Sequence, residues 1–198
     1  MEIGSFIAIA VLIFFVAALY SSVGHGGASG YLAVLSLFAV PPAVMSSTAL
    51  MLNILVAGVA LFAYLRAGHL SFKLAWPFVV LSIPAAYLGG LIHVSEKTYY
   101  LLLASALVFA AYRLALSAAR ADIKETERSV KLAISLPVGA SIGFLSGIVG
   151  IGGGIFLSPV MILFRWADAK KTSAVAALFI VVNSLAVGRE AAEGRSFC

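Results

Sequence analysis

The chain has 198 residues, of which 63% are hydrophobic and only 11% are charged. A globule of this size needs more polar surface than that to be coated in water, so the composition excludes an ordinary water-soluble domain and favours a bilayer. The formal net charge of +5 lies in short loops between apolar runs, as in membrane proteins, and does not indicate a nucleic-acid partner. The sole cysteine, Cys198, excludes a disulfide framework.

Dividing the chain at charges, glycines and prolines predicts an all-α, polytopic integral membrane protein with about eight membrane segments. In chain order they cover residues 3–20, 31–38, 46–65, 74–93, 99–118, 132–148, 155–164 and 172–188. Glu2 stands where a signal peptide has a basic region, so the first segment is predicted to be retained. The second and seventh segments are too short to cross a ~30 Å hydrocarbon core on their apolar residues alone.

The sixth segment contains Gly139, Gly143 and Gly147, spaced by four residues. This spacing places the three glycines on one face of a helix. Small residues at such a spacing let two membrane helices approach closely. The series therefore predicts a tight helix contact and indicates no chemistry.

Lysines and arginines predict the orientation of the segments. The odd-numbered loops and their borders contain Arg66, Lys73, Arg113, Arg120, Lys124, Arg128, Lys131, Arg165, Lys170 and Lys171, whereas the even-numbered loops contribute only Lys97. By the positive-inside rule the odd loops are cytoplasmic and the N-terminus is outside. Residues 119–131 then form a charged cytoplasmic linker. The aromatic residues at segment ends are predicted to be interfacial anchors, and they are Trp76, Trp166, Tyr99 and Tyr100.

Two glycine-rich stretches at corresponding places indicate an internal duplication. Residues 23–34 and 149–160 align without a gap, and residues 46–47 then match residues 172–173. The first membrane repeat is predicted over residues 1–118 and the second, incomplete, over residues 132–198. Because five crossings separate the two starts, the repeats are inverted relative to each other, which is a recurring architecture of secondary transporters.

The matched glycine clusters predict the position of the substrate site. Glycine clusters break helices, and inside a membrane broken backbone survives only where it is buried in protein or lines a cavity. We therefore expect both breaks near mid-membrane, facing each other. Helices that start just after Gly30 and Gly154 direct unsatisfied N–H groups and the positive end of the helix dipole into the breaks, which suits an oxyanion.

The candidate substrate-binding residues are backbone positions, hydroxyls, two amides and one histidine. They are Gly24, His25, Gly26, Gly27, Ser29, Gly30, Ser47, Thr48, Asn53, Gly150, Gly152, Gly153, Gly154, Thr172, Ser173 and Asn183. When the repeats are aligned, the two asparagines are one helical turn out of register, so both can face the same way. No Asp or Glu lies inside a predicted segment, which disfavours a cation or metal transporter. No pattern indicates a catalytic residue, a metal site or a cofactor.

At these residues the chain resembles the TauE/SafE sulfite exporter family of membrane permeases. The resemblance rests on one set of motifs in each repeat, namely residues 26–27, 41–43, 47–50 and Asn53, and residues 150–154, Pro159, residues 171–174 and Asn183. It covers nearly the whole chain apart from the C-terminal tail. It implies a secondary transporter, a permease or exporter, that moves sulfite, sulfonates or related small organic anions. It also implies a multi-pass protein of the inner (plasma) membrane, with a small anion and the lipid bilayer as its partners.

Other interpretations stay open. Residues 27–30 match the Gly-x-Ser-Gly pattern around the serine of rhomboid-type intramembrane proteases, although that mechanism needs a histidine on a neighbouring helix, and no segment interior offers one. Small residues also pack helices in a membrane scaffold that transports nothing. The sequence leaves open whether copies of the chain form a homo-oligomer.

The C-terminal tail departs from the repeat. After residue 188 the first repeat predicts a polar link and two further spans, whereas residues 189–198 are largely polar and contain Arg189 and Arg195. We therefore expect a chain truncated by roughly two helices. A truncated permease without function is the corresponding alternative.

Overall fold

The computed structural model describes residues 3–22, 26–92, 94–118 and 129–192. Within these ranges the chain forms eight α-helices and no strand. They are α1 (Ile3–Ser22), α2 (Ala28–Leu37), α3 (Pro42–Arg66), α4 (Phe72–Gly90), α5 (Glu96–Ala118), α6 (Leu132–Val149), α7 (Gly154–Leu163) and α8 (Ala169–Ala192). Each predicted segment corresponds to one of these helices, so the all-α prediction is confirmed.

Five of the eight described helices, α1, α3, α4, α6 and α8, are long and apolar enough to cross a membrane. The helices α2 and α7 have ten residues each, which is about 15 Å, or roughly half of the hydrocarbon core. Large apolar side chains such as Phe14, Met51 and Val59 are exposed on the outside of the bundle. Lipid is the solvent that such a surface needs, and the polytopic membrane architecture is confirmed.

Helix ends follow local chemistry. Pro42 opens α3, where its missing N–H costs nothing. The helix α8 begins earlier than the apolar pattern predicts, because Asp168 Oδ1 accepts a hydrogen bond from the backbone N–H of Lys171 at 2.8 Å and caps the first turn. It also continues through Ala192, beyond the predicted end at residue 188. The polar residues after position 188 end the apolar stretch, but the backbone hydrogen bonds of α8 continue beyond that position.

The closest packing in the bundle is between α4 and α6. A Cβ on Gly143 would lie 2.5 Å from the carbonyl oxygen of Ser82, and one on Gly139 or Gly147 would collide with the carbonyl of Phe78 or Ala86. The two backbones are therefore in direct contact, as the glycine spacing predicts. The helix α4 also packs on α8, and α3 packs on α8, which places α8 at the centre of the described bundle.

The division into two repeats and a linker stays a prediction. Residues 119–128 of the linker and residues 193–198 of the tail lie outside the described residues. The inversion of the repeats and their depth in a membrane also stay predictions. The helices nonetheless follow the repeat in order, since α2 and α7 have equal lengths and begin 126 residues apart.

Candidate substrate site at the two helix breaks

Each short helix begins at a glycine with left-handed backbone. Gly27 caps α2 with φ 88°, and Gly153 caps α7 with φ 81°. Side chains with a Cβ rarely adopt this conformation, so the sequence needs glycine at both positions. The two glycines are also equivalent in the gapless alignment of the repeats.

Neither helix start is capped by a side chain. The first N–H groups of a helix have no partner inside the helix. They also carry the positive end of the helix dipole, which attracts anions. The N-termini of α2 and α7 are thus two donor sites built from backbone alone.

The two breaks approach the same side chains. A Cβ on Gly26 would collide with Asn53 Oδ1 and lie 3.0 Å from Ile180 Cγ2. A Cβ on Gly152 would lie 3.0 Å from both Asn53 Nδ2 and Ile180 Cγ2, and 2.9 Å from Ser184 Oγ. Asn53 of α3 and Ile180 of α8 therefore fill the space between Gly26 in the first break and Gly152 in the second.

Asn53 ties α3 to the second break through a hydrogen bond. Its Nδ2 donates to the carbonyl oxygen of Ile151 in the second break at 3.0 Å, and the side chain is fully buried. Its Oδ1 has no hydrogen-bond partner among the described residues. A buried amide oxygen without a partner is costly, so this atom marks a place where a further donor fits.

A small cavity lies between the breaks. Its volume is about 10 Å³, and its lining includes residues 26–29 and Tyr20 on one side and Ile151, Ile155 and Ile180 on the other. This is the space of about one water molecule. The starts of α2 and α7 thus line one cavity, and in this conformation the cavity is too small for an oxyanion such as sulfite.

Ser29 and Gly30 occupy different surroundings in α2. Ser29 lines the cavity, and its Oγ donates a hydrogen bond to the hydroxyl of Tyr20 at 3.2 Å. Gly30 lies against α1, where a Cβ would lie 2.5 Å from Val16 Cγ1. Ser29 therefore faces the cavity, whereas Gly30 makes room for a helix contact.

Asn183 makes its contact away from the cavity lining. Its Oδ1 accepts a hydrogen bond from Ser82 of α4 at 3.0 Å, and its Nδ2 has no partner among the described residues. The next residue, Ser184, is the one that approaches Gly152, and its buried Oγ also has no partner there. Asn183, which is one helical turn out of register with Asn53, is therefore buried on the inner face of α8. Its hydrogen bond is directed to α4.

The second break is held from behind by a hydrogen-bonded tyrosine. The hydroxyl of Tyr99 lies 3.1 Å from Ser46 Oγ and donates to the Val149 carbonyl at 3.4 Å. Ser46 in turn contacts the position of a Cβ on Gly150 at 3.1 Å. The prediction of an interfacial anchor is wrong for Tyr99, because its ring is buried and its hydroxyl ties α5 to α3 and α6. It is also wrong for Trp166, which is buried in the core beside Phe78.

The remaining predicted residues lie at the helix starts or outside the described part. Thr172 is buried in the first turn of α8, where its Oγ1 donates to the Ala167 carbonyl at 3.4 Å. Ser47, Thr48 and Ser173 are half-buried, and none of them lines the cavity. Gly153 and Gly154 face α8, against Phe179 and Ile180. Gly24 and His25 lie outside the described residues.

Three residues near the breaks were missed by sequence reasoning. They are Tyr20, Ile180 and Ser184. A signal for two of them exists, since residues 180, 184 and 187 follow a helical spacing with Asn183 and define one face of α8. Among the described residues no group of three His, Cys, Asp or Glu side chains could hold a metal ion.

The family model for sulfite exporter TauE/SafE matches residues 9–188. This range contains both breaks and both asparagines. The chain belongs to the sulfite exporter TauE/SafE family.

A curated relative supports the TauE/SafE assignment over nearly the same length. The chain is 38% identical over 182 residues to a protein named "Probable membrane transporter protein y4hK" from Sinorhizobium fredii (strain NBRC 101917 / NGR234). The match covers 91% of this chain and 74% of the relative. No solved structure matches the chain. Membership of the TauE/SafE family makes this chain a multi-pass membrane protein of a transporter family.

Proposed function

We propose that this chain is a secondary transporter, a permease or exporter, of small anions, with sulfite, sulfonates or related organic anions as the substrate class. We further propose the inner (plasma) membrane as its location. Family membership supports transport. The chemistry of the two breaks supports the anion.

One observation carries the choice of an anion. Two helix starts without side-chain caps, those of α2 and α7, contribute Ala28, Ser29 and Ile155 to the lining of the same small cavity. Both present backbone N–H groups and positive dipole ends, and no acidic side chain occurs in the predicted membrane segments. A cation at this place would be repelled by both positive dipole ends and would find Asn53 Oδ1 as an unpartnered side-chain acceptor among the described residues.

The proposed site combines backbone donors with a few side chains. The N–H groups of residues 26–30 and 153–155 are the principal donors, and Asn53 and Ser29 add side-chain groups from two helices. We retain the other predicted residues at the same breaks as candidates, and they are Gly24, His25, Ser47, Thr48, Gly150, Gly152, Thr172, Ser173 and Asn183.

The size of the cavity implies a moving part. A space of about one water molecule admits an oxyanion only after the helices around it separate. Alternating access in transporters built from inverted repeats is largely a rocking of one repeat against the other around a fixed site. The conformation described is then a closed one, with Asn53 bridging the two breaks.

The test adds one negative charge to the cavity and compares it with a neutral side chain of the same shape. Ser29→Asp and Ser29→Asn differ in charge alone. Two like charges about 4 Å apart repel by about 4 kcal/mol at an effective dielectric constant of about 20. We expect Ser29→Asp to lower sulfite flux more than tenfold below Ser29→Asn, measured with purified protein in liposomes.

Three outcomes are informative. Equal sulfite flux by the two variants would show that the anion does not bind in this cavity. If Ser29→Asp raises the flux of sodium, the transported ion is a cation and not an anion. Liposomes in which the unmodified protein moves neither sulfite, ethanesulfonate nor small carboxylates would favour the scaffold interpretation.

A further inference from the structure

Ile180 is the side chain at which the two breaks meet. It is only 2% exposed. Its Cγ2 lies 3.0 Å from the position of a Cβ on Gly26 and also 3.0 Å from that on Gly152, while its Cγ1 lies 2.5 Å from that on Gly154. Glycines from both halves therefore surround one isoleucine of α8.

The same side chain helps to close the cavity. Ile180 lines it together with Ile151 and Ile155 of the second break and the backbone of residues 26–28. Three isoleucines thus form an apolar wall opposite the start of α2. Since glycine contributes no side chain, Ile180 supplies much of the volume between the breaks.

We propose that Ile180 is a steric plug between the two breaks and sets the size of the anion that passes them. The inference rests on the proposed function, which it refines by naming a specificity-determining residue. An apolar side chain offers an anion no hydrogen bond, so Ile180 acts by occupying volume. The donors lie beside it, because Asn53 Nδ2 and Ser184 Oγ contact the same face of Gly152.

The chain provides a matched control in the other half. Leu50 precedes Asn53 by the three positions by which Ile180 precedes Asn183, and it is also 2% exposed. Leu50 packs in a separate cluster with Ala86 and Val187 and does not line the cavity. Ile180→Ala and Leu50→Ala remove the same number of carbon atoms, each from a buried position three residues before an asparagine.

The first measurement is a ratio of fluxes. The purified 198-residue chain in liposomes is tested with sulfite and with benzenesulfonate. We expect Ile180→Ala to raise the benzenesulfonate-to-sulfite ratio about tenfold or more, since one or two methylenes in an apolar pocket give discrimination of that order. Ile180→Val should raise it less, and Leu50→Ala should leave it unchanged. An unchanged ratio in Ile180→Ala, with sulfite flux intact in the parent, overturns the proposal.

A second measurement does not depend on the substrate. Cys198 is replaced by Ser and Ser29 by Cys, which places the sole thiol in the lining of the cavity. We expect 2-sulfonatoethyl methanethiosulfonate, a small anionic thiol reagent, to label this thiol several-fold faster when Ile180→Ala is added, and at an unchanged rate when Leu50→Ala is added. Equal labelling rates in both variants overturn the plug. Faster labelling, together with no flux of any anion by the parent chain that retains Ser29, keeps the plug and overturns the proposed function.

Discussion

The two halves of the chain carry the same sequence pattern but are packed to different extents. In α1, 6% of the membrane-spanning window is buried, against 39% in the equivalent α6. In α3 the share is 28%, against 61% in the equivalent α8. The described bundle therefore encloses α6 and α8 more fully than α1 and α3.

The cause of this difference is α4. It lies against α6 and α8, and the glycines of α6 let its backbone approach that of α4 at Phe78, Ser82 and Ala86. The positions of α1 that match the three glycines are Ile13, Ala17 and Ser21. The two halves thus share the order of helices and breaks, whereas the neighbouring helix decides how tightly each of these helices is held. We expect α6, α8 and α4 to form the fixed part and α1 with α2 the part that moves.

The strongest test of this contrast is the α4–α6 contact. In Gly143→Val the new Cβ would lie 2.5 Å from the Ser82 carbonyl oxygen and 2.8 Å from Ser82 Cα. These are backbone atoms, which cannot rotate away as the end of a flexible side chain can. We expect the helices to separate, with a loss of about 3 kcal/mol or more in stability. Thermal unfolding of the purified protein in detergent measures it.

The control for this variant is Gly58→Val in α3. No atom lies within 4 Å of a Cβ on Gly58, so the added methyl groups point into open space. We expect its stability to change by about 0.5 kcal/mol or less. Similar melting temperatures for the two variants would mean that the second half is not held by α4.

The two asparagines sharpen the comparison. Asn53→Leu keeps the branched shape but leaves the buried Ile151 carbonyl without its donor, a loss of about 1–3 kcal/mol. Asn183→Leu should cost less, because Ser82 Oγ also donates to the Val79 carbonyl at 3.0 Å and keeps a partner. We expect more than tenfold loss of sulfite flux for Asn53→Leu and a smaller loss for Asn183→Leu.

Sulfite flux and unfolding temperature, measured on the same preparations, separate a loss of transport from a loss of stability. An Asn53→Leu protein that unfolds earlier but transports at the parental rate would make Asn53 a structural tie only. Greater loss of flux in Asn183→Leu would place the working asparagine on α8 beside α4, and would reverse the roles of the two halves.

Sequence reasoning reached the parts of the molecule that depend on local pattern. Apolar length predicts the helices, and glycine clusters predict where α2 and α7 start, because few other residues adopt the left-handed backbone at Gly27 and Gly153. The predicted start of α2 after Gly30 is three residues late, since the helix begins at Ala28, directly after Gly27. Asn53 is predicted because its amide can donate hydrogen bonds from the helix that follows the first break. Each of these signals lies within one segment.

The remaining parts depend on which helix lies next to which. These helices are apolar on nearly every side, so the contrast between a core face and a solvent face that guides the reading of soluble helices is missing. Ile180 and Leu50 look alike in sequence, yet only Ile180 meets the breaks. Tyr99 sits near a segment end, and only the approach of α5 to α6 shows that it is buried.

The smallest expected effect concerns this tyrosine, a second hydrogen-bonded tie between the halves. Tyr99→Phe removes the hydroxyl that contacts Ser46 Oγ and the Val149 carbonyl. We expect a loss of about 1 kcal/mol, the usual net value of one buried hydrogen bond, with sulfite flux largely retained because the hydroxyl lies behind Gly150 rather than in the cavity lining. Tyr100→Phe is the matched control, since Tyr100 is 39% exposed and contacts Tyr99 through its ring. Thermal unfolding of both variants decides the point: if they melt alike, the Tyr99 hydroxyl does not hold the second break, and Asn53 is the hydrogen-bonded tie on which the contact between the halves depends.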